Sequence, residues 1–363
     1  MLTTRTVFSV VFSTLGLARR AVTREIWCRE RLKRAWLILV TALLVCLKMT
    51  SASVAEQISF EAAASAAGVA VKTGTVLVNG VSIYYRDIGG GSETVVLLHG
   101  FPETGDAFAP VIGELTRRFR LIIPDMRGFG RSQRTPDGYD TKTVSADIEK
   151  LLDYLKINQA HLVGHDLGAR VAFAFALQFP QRLRSLTVGE AFIEGLAGTE
   201  RMKQVGPTNP RTRHFAQYAR VDEAVAQYSG KEEELILSFM NSRTKARQFT
   251  AADVALYSAA LKREDGLRAG FKYYEAFAAD EAFVVQSDKS GLRDLPALAM
   301  GCEGPGGDIL FRQFTGAGMQ RVVRKILNGC AHWIFEENPE ETLSALLEFL
   351  SGVSAGSGAS FPR

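Results

Sequence analysis

The chain predicts an α/β fold: a mostly parallel sheet flanked by helices, with a helical cap inserted between two of its strands. Three observations carry that expectation. The first is the run Val163-Gly164-His165-Asp166-Leu167-Gly168-Ala169-Arg170. Glycines two residues to either side of Asp166 suit a sharp strand-to-helix turn that thrusts the middle side chain out above a sheet. The second is a series of short apolar runs, each closing in turn residues, which read as buried strands. The third is the long stretch from about Ala191 to Leu295, rich in helical periodicity and poor in strand signals. An ordinary turn with an N-capping aspartate would also satisfy the pentapeptide alone. The surrounding motifs favour the sharper reading.

In chain order, residues 1–55 read as a leader. Residues 1–34 carry eight Lys/Arg against two Glu, and the apolar run Trp36 to Leu47 is followed by Ser51-Ala52-Ser53-Val54-Ala55. That pattern predicts a secretory signal peptide cleaved near Ala55, and hence a secreted or periplasmic protein. Twelve apolar residues fall short of the roughly 20 that span a bilayer, so no membrane anchor is expected after cleavage. The basic part is long, which leaves open an extended leader or a start downstream of Met1. The leader holds nine Lys/Arg and two Glu, a net of +7, so its removal takes the whole-chain +4 to −3. The basic balance belongs to the leader, and nucleic-acid binding is not expected.

A first core part spans 56–190. Thr75 to Val78 and Val81 to Arg86 flank Asn79-Gly80 and predict a hairpin with a type I′ turn. Thr94 to Leu98, Leu121 to Ile123, Ala160 to Val163 and Ser185 to Val188 read as the following strands, with a helix from Ala169 to Leu177. The cap is expected over 191–295, lying on the carboxyl ends of the strands, where ligands bind in such sheets. A second core part, 296–350, holds the strands Ala297 to Met300 and Val322 to Leu327 and a final amphipathic helix. Residues 351–363, rich in Ser, Gly and Ala, are expected to form a flexible tail. Their Gly352-Val353-Ser354-Ala355-Gly356 matches a serine elbow in letters but not in context.

The residue at the elbow decides the chemistry. A serine there transfers acyl groups, whereas an aspartate attacks an sp³ carbon and leaves an alkyl ester that water must hydrolyse. Such a site belongs to an epoxide hydrolase or a dehalogenase. Hydrolysis needs a base, and His332 in Gly329-Cys330-Ala331-His332 occupies the late loop expected of one. His161, His165 and His99 read as structural. The acid that orients His332 is left among Glu190, Glu303 and Asp308. Neither a metal nor an organic cofactor is expected. Cys302 and Cys330 follow neighbouring strands, which brings their Cα atoms towards the disulfide window; a bridge and two buried thiols are both open.

Taken together, His99-Gly100-Phe101-Pro102, Pro124-Asp125-Met126-Arg127-Gly128-Phe129-Gly130, the Asp166 elbow and the late His332 resemble the α/β-hydrolase superfamily. More closely, Gly189-Glu190-Ala191, Arg213-His214-Phe215, Phe271-Lys272-Tyr273-Tyr274-Glu275-Ala276 and Gly329-Cys330-Ala331-His332-Trp333 look like the secreted bacterial epoxide hydrolases of the Cif type. The resemblance implies Asp166 as nucleophile, His332 as base, Glu190 as its acid, and a cap pair of His214 and Tyr274 as donors to the ring oxygen, with Tyr273 the adjacent register. It implies backbone N–H groups of Phe101 and Leu167 as the oxyanion hole, a small-molecule epoxide as substrate, and raises a homodimer. Asn338 stands where the family has a second cysteine, which leaves Cys302 as the mature-chain partner for Cys330.

Dehalogenases share the Asp/His/acid set but differ at the residue after the nucleophile. Haloalkane enzymes have tryptophan and fluoroacetate enzymes arginine, whereas Leu167 stands here. Arg170 alone would make half of the two-arginine carboxylate clamp of the latter. A non-catalytic signalling scaffold is the remaining reading, and the complete catalytic set weighs against it.

Overall fold

The structure is a computed structural model that describes residues 59–199, 212–304 and 307–356. The expected leader, 1–55, and the last seven residues of the expected tail lie outside them. Eight strands form one sheet: β1 (Val71–Val78), β2 (Val81–Ile88), β3 (Glu93–Leu98), β4 (Phe119–Pro124), β5 (Ala160–His165), β6 (Leu183–Gly189), β7 (Ala297–Cys302) and β8 (Val322–Leu327). Their order is β1-β2-β4-β3-β5-β6-β7-β8. The β1, β2 and β4 contacts are antiparallel, and every pairing from β4 through β3 to β8 is parallel. Asn79 and Gly80 close the first hairpin at φ of 47° and 75°, the left-handed pair that a type I′ turn requires.

Parallel strands need crossovers that cover both faces, and the strand sequences are apolar on both. Alternation sorts them: Val96, Leu98 and Leu162 join one apolar layer, while Val95, Leu97 and Val163 join the other. The helices Thr141–Tyr154 and Leu167–Gln178 pack on the first side, and the helix Pro339–Ser354 on the second. A short helix, Phe60–Ala66, has no counterpart in the expected elements; it buries Phe60 beneath the Arg86 guanidinium at 4.6 Å. Between β6 and β7 the described residues form six α-helices, from Arg213–Tyr218 to Phe277–Gln286, and then a 3-10 turn at Ser290–Leu292. They cluster with the strands as one compact unit.

One expectation is corrected. The tail was expected to be flexible from Ser351, but the last helix continues to Ser354. Val353 still packs on the apolar layer, and Ser351 accepts a hydrogen bond from Arg118 Nη1 at 3.0 Å. Small-residue composition hides the apolar spacing that holds this turn.

Candidate active site

The parallel register sets the site. Leu98 pairs with Gly164, His165 with Gly189, and Gly189 with Met300, so the loops after β3, β5, β6 and β7 leave the sheet at one edge. Asp166 sits at the turn with φ 51° and ψ −117°. That backbone exists because the chain around it has no Cβ atoms: one on Gly168 would fall 2.2 Å from the Leu98 carbonyl oxygen, and one on Gly100 2.6 Å from Asp166 Cβ. The Phe101 amide donates to Asp166 Oδ1 at 2.9 Å. Leu167 begins the following helix, so its amide belongs to the donor-rich first turn.

His332 stands in the loop after β8. Its Nε2 lies 3.5 Å from Asp166 Oδ2, and its Nδ1 lies 3.5 Å from Glu190 Oε2. Glu190 is itself anchored, with φ 47°, its amide donating to Met300 O at 3.2 Å and its Oε1 accepting from the Cys302 amide at 2.6 Å. The rival acids are engaged elsewhere, Glu303 with Lys245 and Asp308 with Arg312. Cys302 and Cys330 are joined in a disulfide with Cα atoms 5.4 Å apart, which ties the end of β7 to the loop that carries His332. His165 Nε2 bonds the His332 carbonyl at 2.9 Å, and His99 Nε2 accepts from the Met126 amide at 3.1 Å. His161, within β5, bonds Ser185 Oγ at 2.8 Å.

The cap brings His214, on the helix Arg213–Tyr218, to Tyr274, on Gly266–Glu275, with ring centroids 5.6 Å apart. Tyr273 points away and donates to Arg127 O at 2.8 Å. The Phe101 ring is wedged against Tyr274 at 5.4 Å, Phe239 at 5.3 Å and Tyr218 at 5.7 Å. One residue therefore holds the Asp166 carboxylate by its amide and the cap by its side chain. Asp166, Glu190, His214 and His332 line a cavity of about 290 Å³ whose walls include Phe192, Phe215, Phe239, Met300 and Leu310. Among the described residues, no group of three or more His, Cys, Asp or Glu is placed to hold a metal ion.

Residues 93–213 match the family model of the α/β hydrolase fold. The chain has the α/β-hydrolase fold. It is 28% identical over 321 residues to an epoxide hydrolase of Caballeronia sordidicola, spanning 78% of this chain and 95% of that one. It is 26% identical over 279 residues to a soluble epoxide hydrolase of Corynebacterium sp. (strain C12), spanning 76% and 96%. Among solved structures it is similar to wild-type Cfl2 from Burkholderia cenocepacia, at 29% identity and a TM-score of 0.67 over 77% of this chain and 95% of that one.

The electrostatics of the site separate its groups. Burial alone would raise Asp166, but the His332 hydrogen bond and charge outweigh it and hold the carboxyl well below the usual range. Burial would lower His332, yet the Asp166 and Glu190 carboxylates push it up to about 9. In the cap, burial and then the Arg243 charge press His214 down to about 2, while burial and the Asp166 charge raise Tyr274 well above its ordinary value. Two contacts escaped the sequence reading. Glu337 Oε1 accepts from the amides of Ala331, His332 and Trp333, each at 3.0 Å. Arg243 Nη2 lies 2.9 Å from His214 Nδ1. Neither has a local signature, since each is an ordinary charged residue in a polar loop or first turn.

Proposed function

We propose that the protein is an epoxide hydrolase that forms a vicinal diol through an Asp166 ester. The observation that carries this is the carboxylate at the elbow, 3.5 Å from a histidine that is itself 3.5 Å from a second carboxylate, in a cavity that His214 also lines. An Asp166 oxygen attacks one epoxide carbon, the C–O bond breaks, and the ring oxygen takes a proton while held by Tyr274 and His214. The proton on His332 restores the donors through the cavity, which leaves the imidazole neutral. Losing the Asp166 charge on esterification removes a main cause of the raised His332 value, so the ring becomes a base when one is needed. Water then gives a proton to His332 and attacks the Asp166 carbonyl carbon. The oxyanion is held by the amides of Phe101 and Leu167; collapse of the tetrahedral centre breaks the ester C–O bond, and the remaining proton of the water passes to the departing alkoxide, giving the diol, the Asp166 carboxylate and the protonated His332 of the resting site.

Phe192, Phe215, Phe239, Met300 and Leu310 offer an apolar wall to the carbon part of the substrate, beside a polar lining that includes Arg170, Arg243 and Glu303. Arg170 is occupied: its Nη1 pairs with Glu194 Oε1 at 2.5 Å and its guanidinium stacks on Phe277 at 3.8 Å, which weighs against haloacetate as a substrate. Export belongs to the same proposal, supported by the basic-then-apolar leader and by the Cys302–Cys330 bridge, which suits an oxidising compartment. The homodimer stays an expectation, tested by light scattering.

The deciding experiment is mass spectrometry of His332→Ala protein incubated with styrene oxide or 1,2-epoxyhexane. A persistent adduct of substrate mass on the Asp166 peptide is expected, because the ester forms and cannot be hydrolysed. No adduct with epoxides, together with a carboxymethyl ester on Asp166 from chloroacetate with release of chloride, would replace the proposal with the dehalogenase.

A further inference from the structure

Arg243 follows the cap helix Glu232–Asn241, and its guanidinium meets His214 at Nδ1, with Nη2 2.9 Å away. A guanidinium keeps its protons in proteins and offers no lone pair. The contact is therefore a hydrogen bond in which Nδ1 accepts. A neutral imidazole that accepts at Nδ1 carries its proton on Nε2. The guanidinium is held in place for this: Nη1 donates to Phe239 O at 3.0 Å and to Ser242 Oγ at 2.8 Å, and the plane stacks on the Phe239 ring at 3.9 Å. The same ring packs against His214 at 5.1 Å, so Phe239 steadies both partners.

We propose that Arg243 is a positioning residue for ring opening: it locks His214 as the neutral tautomer protonated at Nε2, so that a second donor is preset for the epoxide oxygen beside Tyr274. What the donor serves rests on the epoxide-hydrolase reading. The tautomer rests on the Arg243 contact alone. With Nδ1 taken, Nε2 is the ring atom left for a ligand in the cavity that His214 shares with Asp166.

The alternative states would each harm the reaction. The other tautomer turns a lone pair towards the ring oxygen. An imidazolium would compete with His332 for the Asp166 carboxylate. The groups that face His214 are Asp166 and His332 from the core, Arg170 from the helix after the elbow, Tyr274 from its own helix, Tyr218 on the same helix, and Arg243. Of these, Asp166 favours the charged ring, while burial, Arg243, His332 and Arg170 oppose it.

The test combines a spectrum with a rate. In protein carrying ¹⁵N-histidine, with the His214 signals assigned by a His214→Gln variant, the wild type should show a protonated Nε2 and a bare Nδ1, without titration down to mildly acidic pH. Arg243→Met should give mixed tautomers or a ring titrating nearer the ordinary histidine value. Rapid mixing with styrene oxide should show Asp166 ester formation slowed on the order of tenfold to a hundredfold, because general acid groups contribute about 10² or more. The decay of the ester should be unchanged. Arg243→Lys, which can still donate to Nδ1, should recover part of the rate, which a merely structural defect would not. A wild-type His214 protonated at Nδ1, or an Arg243→Met protein with unaltered tautomer and alkylation rate, overturns the proposal. Absence of any Asp166 adduct in His332→Ala protein overturns the epoxide reading instead, and the spectrum still judges the tautomer.

Discussion

Asp166 and the cap pair His214 and Tyr274 are held in place by different means. Asp166 is positioned by backbone: strand register, a left-handed φ and glycines whose Cβ atoms would collide with neighbouring carbonyls. His214 and Tyr274 are positioned by side chains, on separate helices whose rings pack on each other and on Phe101, Phe239 and Tyr218. Backbone geometry repeats wherever the turn is kept, but an aromatic cluster can be repacked by one substitution. A single side-chain change can therefore shift His214 and Tyr274 while leaving the Asp166 turn in place.

The largest effect should come from separating the halves kinetically. Tyr274→Phe keeps the ring and removes the hydroxyl, and should slow Asp166 alkylation by roughly 10²-fold, the usual scale of a lost proton donor. Ester hydrolysis should keep its rate, since the base and its acid are untouched. Rapid-quench mass spectrometry reads both steps, and equal slowing of the two would break the division between core and cap.

A smaller, opposite pair of effects should appear with pH. His332 is raised to about 9 in the resting site, so its proton is present below that pH and is lost above it. Alkylation, in which the cap donors give the proton and His332 only restores them, should be level between about pH 7 and 9 and fall beyond only as far as the slower rate that His332→Ala protein keeps. Hydrolysis needs the neutral ring, and with the Asp166 charge removed it should gain rate from acid towards neutral pH. Single-turnover rates of each step across this range test the sign. An alkylation rate that climbs steadily through pH 10 contradicts the role of the resting imidazolium.

The same division governs what the sequence disclosed. The elbow was legible because its information is local: two glycines around one aspartate dictate a turn. Val322 to Leu327 was likewise readable as a strand, and the structure gives those same bounds. The acid was not readable from its own neighbourhood, because Glu190 differs from Glu303 and Asp308 only in which carboxylate faces His332 across the ends of β6 and β7. Tyr273 and Tyr274 are adjacent, but consecutive helical residues point about 100° apart, and only packing says which one meets His214. His214 and Tyr274 came forward through resemblance alone, since periodicity in an apolar cap ranks no residue above another. Glu336 and Glu337 repeat the lesson. The first is buried against Tyr257, whose hydroxyl donates to it at 2.6 Å, and the second turns to the loop that carries His332.

Glu337 is also where the two halves meet, and its substitution should give the smallest effect on rate. Oε1 gathers the three amides that shape the His332 loop, while Oε2 accepts from Thr244 Oγ1 at 2.9 Å, Lys245 N at 2.5 Å and Ala246 N at 3.2 Å, in the segment directly after Arg243. Burial opposes its charge, but these amide bonds outweigh burial and hold its carboxyl below the usual range. Its contribution to stability is therefore present above the unfolded value and lost as pH falls through the lowered one. Glu337→Gln preserves size but offers one acceptor where two are needed, so its amide must point N–H groups at either the His332 loop or the cap segment. Leaving donors unsatisfied there should cost about 1–3 kcal/mol in a thermal or denaturant melt. If the glutamine oxygen stays with the His332 loop, alkylation should slow several-fold through the loosened Arg243 segment while hydrolysis holds. If it turns to the cap, the reverse should follow. Either split identifies which half the carboxylate serves more, and wild-type rates with a wild-type melt would show that it serves neither.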